Sequence, residues 1–199
     1  MHKEKLTIDY DGVLYDFVTP FLAVVKKRTG KIITLADITC YSFAETLGLP
    51  ETTINDMIAE TVDRHALPLL PQAVAICEQL SQTYELIIVT SRNETWKKQT
   101  QQPIEQDFPQ GVISDIYFTT NGNSPRLGHK DELLQRLKPK AHLEDGLHFA
   151  EQIATKGIHT LLFDWPWNQH PKELPYIKRT QPYQERAHWE QVPSLLQQL

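Results

Sequence analysis

Residues 6–14 have the sequence Leu-Thr-Ile-Asp-Tyr-Asp-Gly-Val-Leu, in which a short apolar run ends in two acidic residues and a glycine. The apolar run is long enough to form a buried strand. We expect the chain to turn at Gly12, so that the carboxylates of Asp9 and Asp11 converge at the C-terminal end of that strand. Two crowded carboxylates repel each other unless a cation or a proton lies between them. The pair therefore predicts a metal site or an acid–base pair, with a solvated Asp-Gly turn as the alternative.

The composition of the chain excludes several classes of protein. Of its 199 residues, 40% are hydrophobic and 23% are charged, which is typical of one folded core, with or without an insert. The net charge of −5 argues against a protein that binds nucleic-acid polymers or anionic membranes. The two cysteines form no CxxC motif, and no apolar segment approaches the ~20 residues that span a bilayer. Because no signal-peptide hydrophobic region follows Met1, we expect a cytoplasmic protein.

Apolar, β-branched segments predict four more strands after the first, and helical patterns lie between them. The strands are expected at Leu86–Val89, Ile116–Phe118, Ala141–Leu143 and Thr160–Phe163, and the helices at 17–29, 52–64, 71–82, 130–138, 147–156 and 188–199. This alternation predicts an α/β fold with a parallel, five-stranded sheet flanked by helices. Residues 17–68 contain no convincing strand, so we expect a small helical cap inserted after strand 1. Residues 1–16 and 69–199 would then form the core, with Trp165, Trp167 and Trp189 packing the C-terminal segment onto the sheet.

Polar residues follow three of the predicted strands, where sites on open α/β sheets lie. Asp9 and Asp11 end the first strand, Thr90-Ser91 the second, and Glu144-Asp145 the fourth. These residue types suit phosphate chemistry. Asp9 can accept a phosphoryl group as a nucleophile, and Asp11 can protonate the leaving oxygen and later activate water.

The phosphate itself needs hydrogen-bond donors and positive charge. The hydroxyls of Thr90 and Ser91 and the turn amides can donate to phosphate oxygens, and Lys130, at the start of a helix, supplies a fixed charge. The scheme needs no base besides Asp11, so we expect the neighbouring His129 to be a surface residue.

The oxygen ligands available suit Mg²⁺ as the cofactor. The carboxylates of Asp9 and Asp145 and the backbone carbonyl of Asp11 would bind the ion, and Glu144 would contact it through water or orient its ligands. Ionised Asp9, Asp11 and Asp145 contribute −3, which Mg²⁺ and Lys130 together balance. Without both cations the pocket would repel a phosphate dianion by several kcal/mol, an order of magnitude set by like charges ~4 Å apart.

These residues resemble the four motifs of the haloacid-dehalogenase superfamily, in that family's order. The motifs are Asp-x-Asp-Gly-Val-Leu at 9–14, Thr90 after an apolar strand, Lys130, and Glu144-Asp145. The resemblance implies a Rossmann-like core, an aspartyl-phosphate intermediate on Asp9, Asp11 as acid and base, and Mg²⁺.

A narrower resemblance, to the 5′(3′)-deoxyribonucleotidases, rests on residues 11–17, 67–74 and 89–91 and on Leu162-Phe163, Asn168 and Trp189. It implies that Phe17, Tyr41 and Phe43 contact the nucleobase. Three positions depart from that family's usual pattern. Tyr10 stands where it has Met, Glu144 where it has Asp, and Arg92 where it has Pro. Arg92 becomes a candidate substrate contact, and base and sugar specificity stay open.

The leading hypothesis is therefore a Mg²⁺-dependent phosphomonoesterase for nucleoside 5′- or 3′-monophosphates, deoxyribonucleotides above all. One alternative is the same chemistry on another small phosphate, such as a sugar phosphate. An alternative from a different class is a phospho-accepting signalling receiver, although a receiver carries its phosphorylated Asp on a middle strand. The expected partner is a small phosphomonoester, and the sequence leaves the oligomeric state open, a homodimer included.

Overall fold

The computed structural model describes residues 3–64, 66–120, 130–169, 174–185 and 187–199. Within these ranges, six parallel strands form one sheet in the order β3-β2-β1-β4-β5-β6. The strands are β1 Glu4–Ile8, β2 Tyr84–Asn93, β3 Ile113–Thr120, β4 Ala141–Glu144, β5 Thr160–Leu162 and β6 Ile177–Arg179. The predicted parallel α/β sheet is confirmed, but the expected number of five strands is one too few. The additional strand, β6, is a three-residue edge strand in a polar segment that carries no strand pattern.

Helices cover both faces of the sheet. They are α1 Val18–Thr29, α2 Phe43–Leu47, α3 Glu51–Arg64, α4 Ala73–Ser81, α5 Lys97–Asp107, α6 Lys130–Leu137, α7 Leu147–Ala154 and α8 His188–Leu196. On β2, Leu86 and Ile88 belong to the core cluster that includes α4 and α8, whereas Ile87 and Val89 belong to the cluster that includes α6 and α7. Burial on both faces explains why β2 is continuously apolar. No described helix combines the length and apolar character that a membrane span requires.

Two features of the core differ from the sequence-based expectation. Strand β2 does not stop at Thr90 but continues to Asn93, pairing there with Thr120 after a register shift. Helix α5 was not expected, because its sequence is polar and contains Pro103. Both features matter for the site, since they place Arg92 beside the end of β1.

Residues 17–68 contain α1, α2 and α3, and among the described residues of this range no strand is found. These helices share a hydrophobic cluster that is separate from the two clusters on the sheet. The two connections to the core run side by side. Asp16 N donates to Pro68 O at 2.8 Å, and Leu70 N donates to Leu14 O at 2.8 Å. This pairing supports our proposed division into a cap, 17–68, and a core, 1–16 with 69–199.

Candidate active site

The C-terminal ends of β1, β2 and β4 meet at one edge of the sheet. Ile8 pairs in parallel register with Ile88 of β2 on one side and with Leu143 of β4 on the other. Asp9 N extends the ladder by donating to Leu143 O at 2.9 Å. The polar residues that follow the three strands therefore face a common space, as the strand ends of a parallel sheet require.

Lys130 links two of these strand ends. Its Nζ lies 3.2 Å from Asp9 Oδ1 and 2.8 Å from Glu144 Oε2, and its side chain is only 1% exposed. Burial disfavours the charged form of Lys130, but the charges of Asp9 and Glu144 outweigh burial and raise its pKa above the ordinary value. Lys130 is therefore a fixed positive charge against the candidate nucleophile.

Glu144 is saturated with hydrogen-bond donors. Its Oε2 contacts Lys130 Nζ and, at 3.2 Å, His142 Nε2, while its Oε1 accepts from the backbone N–H groups of Asp145 and Gly146. Burial raises the pKa of Glu144, but the charge of Lys130 and the bond to His142 hold it well below its usual range. Glu144 is therefore ionised, and it orients Lys130 and the loop that carries Asp145.

Asp9, Glu144 and Asp145 can each place a carboxylate oxygen within 4.8 Å of the other two. Burial raises the pKa of Asp9 to about 8, an effect that the charge of Lys130 only partly offsets. Burial and the neighbouring carboxylates also raise the pKa of Asp145 well above its usual value. A divalent cation between Asp9 and Asp145 would stabilise both in their ionised forms. The donor set thus fits Mg²⁺, and ligation by the Asp11 carbonyl stays a prediction.

The segment after β5 holds the loop of Asp145 in place. Trp167 Nε1 donates to Asp145 Oδ2 at 3.1 Å, and Asn168 Nδ2 donates to Asp145 O at 2.7 Å. Trp165, stacked on Trp167, donates its Nε1 to Gly12 O at 2.8 Å. One aromatic pair therefore contacts both acidic loops of the site.

Gly12 is required by its surroundings. Its φ is +72°, and a Cβ at this position would lie 2.4 Å from Asp145 Oδ2. The two acidic loops approach so closely that no side chain fits between them.

Asp11 is paired with Arg92. Arg92 Nε donates to Asp11 Oδ2 at 2.7 Å, and Nη2 donates to Oδ1 at 2.8 Å. This pair was not predicted, because the sequence gives Arg92 only as a candidate substrate contact. The four acidic side chains of the site, Asp9, Asp11, Glu144 and Asp145, thus face two basic ones, and one divalent cation would balance the difference.

Thr90 and Ser91 lie on the neighbouring strand end. Thr90 is 1% exposed, and its Oγ1 accepts from Arg92 N at 3.1 Å. The proton of the Thr90 hydroxyl is thus available to an acceptor in the cavity that both residues line. Their predicted role as phosphate ligands stays a prediction.

A cavity of about 570 Å³ extends from the acidic residues into the cap. Phe17, Tyr41 and Phe43, the predicted substrate contacts, all line it. Its wall also includes Ile38, Ile54, Ile58, Val62 and Trp96, with the polar residues Glu51 and Asn55. Among the described residues that line the cavity, Arg92 alone is basic.

The structure thus brings together Asp9, Lys130, Glu144 and Asp145 as the sequence suggests, with Asp11 beside them. His142 and Trp167 were not expected to take part. The spacing of His142 and Glu144, two residues apart on one strand, places both on one face and could have revealed the histidine. No sequence signal connects Trp167 to Asp145. The expectation for His129 lies outside the described residues.

The amino-acid sequence matches no protein-family model and no curated protein. Solved structures do match. A haloacid dehalogenase-like hydrolase from Streptococcus pneumoniae is 18% identical, with 94% of this chain and 98% of that chain covered and a TM-score of 0.62. A predicted phosphatase from Clostridium acetobutylicum is 14% identical, with 97% and 100% covered and a TM-score of 0.65.

CbbY from Rhodobacter sphaeroides, in complex with xylulose-1,5-bisphosphate, is 13% identical, with 89% and 92% covered and a TM-score of 0.56. At these identities the similarity establishes the fold. The chain has the fold of the haloacid dehalogenase-like hydrolases, over nearly its whole length.

Proposed function

We propose that this chain is a Mg²⁺-dependent phosphomonoesterase that works through an aspartyl-phosphate on Asp9. The observation that carries the proposal is the buried contact of Lys130 Nζ with Asp9 Oδ1, at 3.2 Å, next to Asp145. A lysine in this position favours the ionised, nucleophilic form of Asp9, which Mg²⁺ would stabilise further, and it offers positive charge to the incoming phosphate. The haloacid dehalogenase-like hydrolase and the predicted phosphatase that share this fold support the same chemistry.

The reaction proceeds in two steps. An oxygen of Asp9 attacks phosphorus, the P–O bond to the alcohol breaks, and Asp11 donates a proton to the leaving oxygen. Water then attacks the aspartyl-phosphate, Asp11 accepts a proton from it, and inorganic phosphate leaves as the Asp9 carboxylate is regenerated. Mg²⁺ held by Asp9 and Asp145 would neutralise negative charge on the phosphoryl oxygens.

A signalling receiver is less well supported. In such a protein the phosphorylated Asp lies on a middle strand of the chain, whereas Asp9 follows the first. Asp11 lies two residues away and lines the cavity, and 31% of its side chain is exposed. An acid–base group in that position favours hydrolysis of the aspartyl-phosphate rather than its persistence.

The cavity supports a nucleoside monophosphate as the substrate. Its aromatic and aliphatic lining suits a flat, weakly polar group such as a nucleobase. Glu51 and Asn55, one turn apart on α3, can accept or donate hydrogen bonds to base or sugar. Of the described lining residues, only Arg92 is basic, and it is engaged by Asp11. A second phosphate or a carboxylate on the substrate would therefore lack a partner there and would meet Glu51.

A sugar phosphate is the second candidate, because CbbY, which shares this fold, was solved with xylulose-1,5-bisphosphate. Such a substrate would use the polar part of the lining, and leave the apolar wall unused.

Phosphate release from a substrate panel separates the two candidates. The panel contains 5′- and 3′-deoxyribonucleoside monophosphates, ribonucleotides, a hexose monophosphate, 2-phosphoglycolate and a sugar bisphosphate, each with Mg²⁺ and with chelator. We expect the highest kcat/KM for a deoxyribonucleoside monophosphate and no turnover by Asp9→Asn. Preference for the hexose phosphate or the bisphosphate would contradict the nucleotide assignment but keep the phosphatase. Activity in Asp9→Asn would contradict the proposed aspartyl-phosphate on Asp9, whichever substrate is preferred.

A further inference from the structure

Arg92 holds Asp11 by two parallel hydrogen bonds, at 2.7 and 2.8 Å. A two-point contact of this kind fixes the plane of a carboxylate as well as its position. The side chain of Arg92 is 4% exposed, whereas that of Asp11 is 31% exposed. Both residues line the cavity, but Asp11 is the more exposed of the two, whereas almost all of the Arg92 side chain is buried.

Arg92 is itself fixed in place. Its Nη1 donates to Thr100 Oγ1 at 3.3 Å, and Thr100 in turn donates to Trp96 O at 2.9 Å. Its guanidinium carbon lies 4.2 Å from the centre of the Tyr10 ring, which is fully buried. All three guanidinium nitrogens are thus engaged by the protein, and the stack on Tyr10 restricts the group further. A cation anchored in this way is suited to orienting a neighbour rather than to closing on a ligand.

We propose that Arg92 is a positioning residue that orients Asp11 for proton transfer, a role that rests on the proposed function. It affects the reaction through Asp11 and does not bind the transferred phosphoryl group. Asp11 must lie within hydrogen-bond reach of the leaving oxygen in the first step and of the attacking water in the second. An error of about 1 Å in such a position can cost on the order of 10²-fold in rate.

The leaving group offers a direct test, because a good leaving anion departs without a proton whereas an alkoxide does not. Single-turnover release of the alcohol and steady-state KM are measured with p-nitrophenyl phosphate and with a deoxyribonucleoside 5′-monophosphate. The variants are Arg92→Met, Arg92→Lys and the control Arg28→Met. Arg28 makes a similar bond to a carboxylate, with its Nε 2.7 Å from Glu60 Oε2, but on the surface of the cap. Circular dichroism and thermal unfolding establish that each variant is folded.

We expect Arg92→Met to slow release of the nucleoside by about 10- to 100-fold. Release of p-nitrophenolate and KM for both probes should change by less than about threefold, and Arg28→Met should match the wild type in all of these measurements. Arg92→Lys keeps the buried charge without the two-point contact, so it should show an intermediate loss. It replaces Arg92→Met as the decisive variant if the latter does not fold.

A double variant with Asp11→Asn completes the test. If Arg92 acts through Asp11, replacing it in the Asp11→Asn background should cause no further loss. An equal loss in the wild-type and Asp11→Asn backgrounds, or a rise in KM for both probes, would show that Arg92 binds phosphate. That result would overturn the positioning role of Arg92 and leave the proposed function standing. A wild-type chain that releases nothing from either probe would overturn the proposed function and the role of Arg92 together.

Discussion

Replacing Gly12 with alanine tests how closely the two acidic loops are coupled. Gly12 has φ +72° and would place a Cβ 2.4 Å from Asp145 Oδ2 and 2.7 Å from Asp145 Cγ. Ordinary contacts at such a position begin at 3.4 Å, so the carboxylate must move by about 1 Å. Gly30 is a matched control, because it has φ +74° with nothing within 4 Å of its Cβ position.

The left-handed backbone costs each alanine variant about 1–2 kcal/mol. For a chain of this size, that corresponds to a fall in Tm of roughly 2–8 °C. Only Gly12→Ala also displaces Asp145. We therefore expect a Mg²⁺ affinity about 10- to 100-fold weaker for Gly12→Ala, the range seen when the surroundings of a metal ligand are disturbed.

Isothermal titration with Mg²⁺ and thermal unfolding measure the two effects separately. Gly30→Ala should lose stability but bind Mg²⁺ with wild-type affinity. Wild-type Mg²⁺ affinity in Gly12→Ala, or an equal loss in both variants, would refute the reasoning that Asp145 is a ligand held against the turn.

Three further predictions concern the buried charges. In chelated protein, the pKa of Asp9, raised from 3.8 to about 8, makes stability fall as the pH rises between these values. At about 1.4 kcal/mol per pH unit, the unfolding free energy measured with urea should be ~2 kcal/mol lower at pH 8 than at pH 6.5. Asp9→Asn or saturating Mg²⁺ should reduce that difference, and an unchanged difference would contradict the assignment of the raised pKa to Asp9. Lys130→Met should lower the unfolding free energy by about 3–5 kcal/mol, because it leaves Asp9 and Glu144 buried without their cation, and an unchanged urea midpoint would argue against this. Trp167→Phe should weaken Mg²⁺ binding about tenfold in calorimetry by removing the donor to Asp145, and unchanged affinity would show that the indole only packs.

The parts of the site that the sequence predicts are those set by regular structure. Apolar runs that end in Asp9, Thr90 and Glu144 predict parallel strands. Parallel strands bring their C-terminal ends to the same edge of the sheet, irrespective of the conformation of the loops between them. Lys130 is predictable because it starts helix α6, which packs on a face of the sheet and begins beside the strand ends.

Other features depend on contacts that no local pattern records. The bond from Trp167 to Asp145 joins two separate loops, and the contact between Arg92 and Asp11 needs β2 to continue past Thr90. Strand β6 was missed because three residues in a polar edge segment carry no periodicity. Backbone hydrogen bonds between distant residues, from Asp16 to Pro68 and from Leu70 to Leu14, support the cap boundaries that we propose from the sequence.

The central claim is that Asp9 accepts a phosphoryl group and releases it again. Acid quenching of the protein during turnover of a ³²P-labelled substrate with Mg²⁺, followed by mass spectrometry of peptides, tests this claim most directly. We predict a base-labile phosphoryl group on Asp9 that appears and decays at the rate of phosphate release, and that is missing in Asp9→Asn. Label on another residue, or a phosphoprotein that persists without release of phosphate, would contradict the claim.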